Sequence, residues 1–163
     1  VSCTRTQMQA FVRRLSESFF SLAVTLWVGG LWAIGFIAAP ALFASLKDRV
    51  LAGEVAGNLF GLIAWVGIAC AAYLLAYLSL RRGKTVFRSR AFWLVLAMLV
   101  LTLVGHFGIQ PILAQLKAQA WPHSVMESAV KSRFAVWHGV AGGLYALQSL
   151  LGAALVLLQG RER

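Results

Sequence analysis

Four stretches of the chain contain no Asp, Glu, Lys or Arg: 18–46, 55–80, 91–116 and 134–160. Each is longer than the roughly 20 apolar residues that cross a bilayer core of about 30 Å. Hydrocarbon offers no water to backbone polar groups, and a helix satisfies them within one segment. Charged residues make up 12% of the sequence, against roughly 25% in soluble domains. That is too little charge to cover a globule in water, and a disordered tail or a disulfide scaffold is excluded for the same reason. The mean hydropathy of +0.78 agrees. The expected fold is all-α: a polytopic integral membrane protein, a bundle of four transmembrane helices. The spans use up nearly all of residues 1–163, so a single membrane domain is expected.

The net charge is +10. In a soluble protein this excess would suggest nucleic acid. Here the cations flank the apolar runs, so they report topology and lipid headgroups, and no nucleic-acid partner is expected. Arg5, Arg13 and Arg14 precede the first run; Arg81, Arg82, Lys84, Arg88 and Arg90 separate the second from the third; Arg161 and Arg163 follow the fourth. Together these ten face one side, against five on the other: Lys47, Arg49, Lys117, Lys131 and Arg133. The positive-inside rule puts both termini in the cytoplasm, in a bacterial inner membrane. No cleavable signal peptide is expected, because the first run is too long for an h-region. Met8 is read as an alternative start. Tyr73 and Tyr77, and Phe92 with Trp93, fall where an interfacial aromatic belt belongs.

Glycine and alanine recur at the four-residue spacing that lets helix backbones approach: Gly35 with Ala39, Gly57 with Gly61, and Gly139 with Gly143. Pro40 and Pro111 fall late in the first and third spans and predict kinks there.

Polar side chains within a span are costly and usually face the bundle interior. Thr102, His106 and Gln110 are spaced four apart and predict one face of the third helix. His138, Gly142, Tyr145, Ser149 and Gly152 predict an inward stripe on the fourth. Two readings of these stripes stay open. One is packing with interhelical hydrogen bonds; the other is a polar cavity for a small ligand, a proton or a metal. His106 and His138 suit hydrogen bonding or ligation alike. As axial ligands of one haem they are offset by about 8 Å along the bundle, counted from the flanking cations at a rise of about 1.5 Å per residue, and this speaks against a shared iron. His123-x-x-Met126 would suit copper(I) but supplies only two ligands. Cys3 and Cys70 give no metal spacing or disulfide framework. No intramembrane carboxylate and no nucleophile–base set is present, so an enzyme is not expected. No cofactor is expected either, with haem or copper left open by the histidines.

Three segments resemble a known family: LWVGGLWAIGFIAAPALF (26–43), AGEVAGNLFG (52–61) and FAVWHGVAGGLYAL (134–147). They are similar to the bacterial four-span family of the domain-of-unknown-function 4149 type, related to eukaryotic transmembrane protein 205. The matching positions are Trp27, Trp32, Gly35, Phe60, Pro111, Phe134, His138 and Gly139. The resemblance implies four spans and a membrane location, and favours His138 over His106 as the family's histidine. It supplies no activity. The stretch WVGGL (27–31) also resembles part of the copper-resistance membrane family that contains CopD. Where that family has a histidine two turns earlier, this chain has Phe20, which cannot ligate metal.

Taken together, these features suggest a membrane module acting by packing, homo-oligomerisation or binding another membrane protein. The alternative is a small transporter or a copper- or haem-handling protein built on His106 and His138.

Overall fold

Each uncharged run becomes a helical rod. The computed structural model describes residues 2–120 and 129–161. The chain runs through α1 (Ser2–Trp32), α2 (Ala39–Ser45), α3 (Arg49–Arg82), α4 (Arg90–Leu103), α5 (Gln110–Ala120) and α6 (Lys131–Arg161). A π-turn at Ala33–Ala38 joins α1 to α2, making the first span; another at Val104–Ile109 joins α4 to α5, making the third. α3 and α6 are the second and fourth. All four are long and apolar enough to cross a membrane, and no strand occurs among the described residues.

The ends of the rods follow from local chemistry. Asp48 caps α3, its carboxylate accepting from the N–H of Val50 and Leu51 at 2.8 and 3.1 Å. Such a cap contributes about 1 kcal/mol. Gly83 ends α3 with a φ of 52°, a left-handed value that glycine adopts without steric cost. A 3₁₀ turn, Gly83–Arg88, then leads into α4. The indole of Trp93 donates to the Phe87 carbonyl at 2.9 Å and fixes this turn.

Each π-turn ends two residues before a proline. Ala39 N–H bonds the carbonyl of Ile34, and Gln110 N–H that of Gly105, each five residues back. Pro40 and Pro111 lack an N–H, and their rings crowd the carbonyl four residues earlier. Widening the turn moves that carbonyl aside. Where the prolines predict an irregularity, the structure has a π-turn.

Interhelical polar contacts fix which ends lie together. Arg81 pairs with Glu17 at 3.1 Å, and Gln159 donates to Ser21 at 2.8 Å. The start of the first span thus lies beside the ends of the second and fourth. At the opposite end, Lys117 donates to the Gly53 carbonyl at 3.0 Å, tying α5 to α3.

The core is a seam of apolar side chains between the rods: Val24, Trp27 and Leu31 from α1, Ile63 and Leu74 from α3, Val95 and Met98 from α4, and Leu155 from α6. The outer surface is just as apolar. Phe36, Ile37, Leu62, Leu150 and Leu157 are each at least 60% exposed. In water such a surface would aggregate, whereas in a bilayer it meets acyl chains.

The small-residue pairs do not form the backbone contacts expected of them. Gly35 makes room for the ring of Tyr145 rather than for a helix backbone, and Ala39 is half-buried. The nearest group to a Cβ at Gly57 is the Lys117 amine, at 3.8 Å. At Gly61, Gly139 and Gly143 a Cβ would meet nothing within 4 Å. Close approach occurs elsewhere. Trp27 lies directly over Gly67, and a Cβ added at Gly152 of α6 would lie 3.1 Å from Val28 and 3.4 Å from Met98. Those positions face the core stripe, and most of the expected ones do not.

Candidate functional site

Burial along the third span follows steps of three and four residues. Val95, Met98, Thr102, Ile109, Leu113, Leu116 and Ala120 are buried. A four-residue step overshoots one turn by about 40°. Thr102, His106 and Gln110 therefore drift off the core line together: Thr102 is buried, His106 and Gln110 half-buried. On α6, Gln148, Ser149, Gly152 and Leu155 are buried and Tyr145 is half-buried.

The inward residues form a polar seam of two hydrogen-bonded groups. Thr102 donates to the Met98 carbonyl of its own helix at 2.9 Å, and the Gln148 amide crosses from α6 to the Thr102 hydroxyl at 2.7 Å. Tyr145 donates across to the Leu31 carbonyl of α1, and the Gly35 N–H faces the same phenolic oxygen. Ser149 back-bonds to the Tyr145 carbonyl at 2.9 Å, and the Trp32 indole reaches the Ser149 carbonyl at 3.4 Å. Each bond joins two rods or ties off a hydroxyl where no water is available, and such contacts in membranes contribute about 0.6 kcal/mol each.

His106 stands apart from this seam, inside the second π-turn. Its ring packs edge-on against Trp65 of α3 at 5.4 Å and against Phe107 at 4.8 Å. Its Nδ1 is buried without a hydrogen-bond partner, as is the indole nitrogen of Trp27.

His138 does not face inward. It is exposed on the surface of α6, stacked on Phe134 with centroids 5.5 Å apart and planes within 13°. Gly142 is exposed as well. The stripe expected from His138 to Gly152 therefore divides: its second half lies in the seam and its first half outside. Around the outer face, Ala135, Gly139, Gly143 and Ala146 are all exposed, and a Cβ at Gly142 would also meet nothing within 4 Å. The result is a shallow glycine track along the outer half-turns of α6, with His138 at its edge.

The two histidines meet different partners, so the ring contacts do not unite them. Among the described residues no group of three His, Cys, Asp or Glu is placed to hold a metal ion. Cys70 is a free thiol in the core. His123 and Met126, the copper(I) candidates, lie outside the described residues. Two elements of the seam and core were not singled out from the sequence as contacts: the amide of Gln148, and Gly67 beneath Trp27. The first had a signal, an uncharged but strongly hydrogen-bonding side chain in mid-span; the second had none.

Fold and seam together define a multi-pass membrane protein, a four-rod bundle stitched by a few interhelical hydrogen bonds. The model of a family described as a domain of unknown function (DUF4149) matches residues 22–122. The chain belongs to that family. No curated protein and no solved structure matches it.

Proposed function

We propose that this chain is a packing module of a bacterial inner membrane that associates with a second copy of itself through the outer face of α6. The open glycine track carries the reading. Ala135, Gly139 and Gly143 repeat every four residues on an exposed face, the arrangement at which membrane helices approach most closely. His138 borders the track about 8 Å into the span from Arg133, at a rise of about 1.5 Å per residue. An imidazole facing hydrocarbon at that depth is costly, and a partner helix would shield it. A two-fold axis through the track would give each copy the same contacts.

Cytoplasmic termini and the inner-membrane location are supported by the ten-to-five asymmetry of flanking cations. Kinship with eukaryotic transmembrane protein 205 is supported by the order of Trp27, Trp32, Gly35, Pro111 and the Phe134–Gly139 segment.

The oligomeric state of the purified chain in lipid nanodiscs tests the proposal. A dimer is expected for the parent and a monomer of unchanged helix content for Gly143→Leu, whose side chain would hold the helices apart. A monomeric parent, or a dimer indifferent to Gly143→Leu and Gly139→Leu, would overturn it.

A second reading, a small transporter or a copper- or haem-handling protein, is favoured by one observation, the unpartnered Nδ1 of His106. A Soret band or stoichiometric copper that disappears on His106→Ala or His138→Ala would establish it. A colourless, metal-free preparation would remove its copper and haem forms.

A further inference from the structure

At the Arg81 end of the bundle, a groove of about 590 Å³ lies between the first turns of α4 and the last turns of α6. The groove is open along one side rather than enclosed, so it can cradle part of a longer molecule. Arg90, Trp93, Leu94, Ala154, Leu157 and Leu158 line it. Five of these are apolar or aromatic and one is a permanent cation. Ala154 forms part of the lining with the smallest side chain of the six. Trp93 makes a fixed wall, because its N–H is held by the Phe87 carbonyl.

Arg90 is exposed, and no carboxylate partner for it occurs among the described residues. Glu17 pairs with Arg81, Asp48 caps α3, and Glu54 lies near Lys117 at the other end. The charge at the mouth of the groove is thus unmatched among the described residues. It also belongs to a connection that carries Arg81, Arg82, Lys84 and Arg88 and no acid.

The geometry points to this groove as the seat of one anionic phospholipid. An acyl chain lies along Leu94, Leu157 and Leu158 over Ala154, and the headgroup phosphate meets the Arg90 guanidinium. The planar fork of an arginine matches two phosphate oxygens, and basic pockets between transmembrane helices favour acidic headgroups. A zwitterionic headgroup would bring its own ammonium among these cations. Free inorganic phosphate would leave the apolar walls unused.

The test uses the full chain, purified and delipidated in detergent. Bound lipids are counted by native mass spectrometry during titration with phosphatidylglycerol or phosphatidylcholine. Phosphatidylglycerol is expected to bind more tightly by roughly fivefold or more, the equivalent of about one headgroup–cation contact. Arg90→Gln is expected to abolish that preference. Arg88→Gln, in the same connection but outside the groove, is expected to change it by less than about twofold, as a screened surface charge would. Ala154→Phe, which fills the groove, is expected to displace both lipids while leaving helix content unchanged. Equal binding of the two lipids, equal losses from Arg88→Gln and Arg90→Gln, or undiminished binding to Ala154→Phe would each overturn the assignment.

Discussion

The ring of Tyr145 lies against Gly35, where any Cβ would collide with it. Its hydroxyl donates to the Leu31 carbonyl while the Gly35 N–H faces the same oxygen. Leu31 and Gly35 are the two ends of what would be a single α-helical bond. A side chain entering the ladder is a known cause of kinking, and the π-turn begins two residues after Leu31. Tyr145→Phe is expected to lower stability by about 1 kcal/mol, the upper part of the range for membrane hydrogen bonds. Gly35→Ala is expected to cost more, because the ring must leave its place. Thermal unfolding followed by far-ultraviolet circular dichroism in detergent reads both. A Gly35→Ala protein as stable as the parent would refute the close packing.

Trp27 is fully buried and lies over Gly67, with its indole nitrogen unpartnered. Gly67→Ala would push a methyl group into the indole, and overpacking of this kind costs about 1–3 kcal/mol. Trp27→Phe would remove the orphaned N–H, offsetting part of the packing it forfeits. Combining Trp27→Phe with Gly67→Ala is therefore expected to be less harmful than the two losses added. Unfolding in mixed micelles of rising denaturing-detergent fraction gives the comparison. Strict additivity would show that the two residues do not touch.

Gln148 and Thr102 are joined by a buried hydrogen bond at 2.7 Å between α6 and α4. A double-mutant cycle with Gln148→Leu and Thr102→Val is expected to give a coupling of about 0.6 kcal/mol, and at most about 1.7. Thr102 keeps its own bond to the Met98 carbonyl, so Gln148→Leu leaves no hydroxyl stranded. A coupling of zero would mean that the bond does not hold these helices together.

Reporter fusions test the orientation independently. A cytoplasmic reporter placed after Arg163 is expected to be active, and a periplasmic reporter at the same place silent. The reverse result would show that the cation count misreads the membrane face.

The four rods were legible because hydrocarbon thickness imposes a length that few other folds demand. The interhelical chemistry was legible in part. Tyr145 and Ser149 were found because polar side chains in a span rarely face lipid. His138 was misplaced because the expected stripe, though it advances by fours and threes, starts one residue out of phase with the inward face of α6, which runs through Phe134, Trp137 and Ala141. One residue of phase separates Trp137, half-buried, from His138, exposed. The glycines were harder still. A glycine that admits Trp27 and a glycine that faces acyl chains look alike in a sequence, since the difference lies entirely in what stands opposite.

The two π-turns occupy corresponding places in spans that run in the same direction. Both therefore fall in the half of the bundle away from the Arg81–Glu17 and Gln159–Ser21 contacts. Each is followed by a proline that forgoes a backbone bond. The molecule is accordingly a sleeve with a laced cuff at one rim and its seams let out toward the other. That rim is where the helices are expected to yield first when the bundle bends.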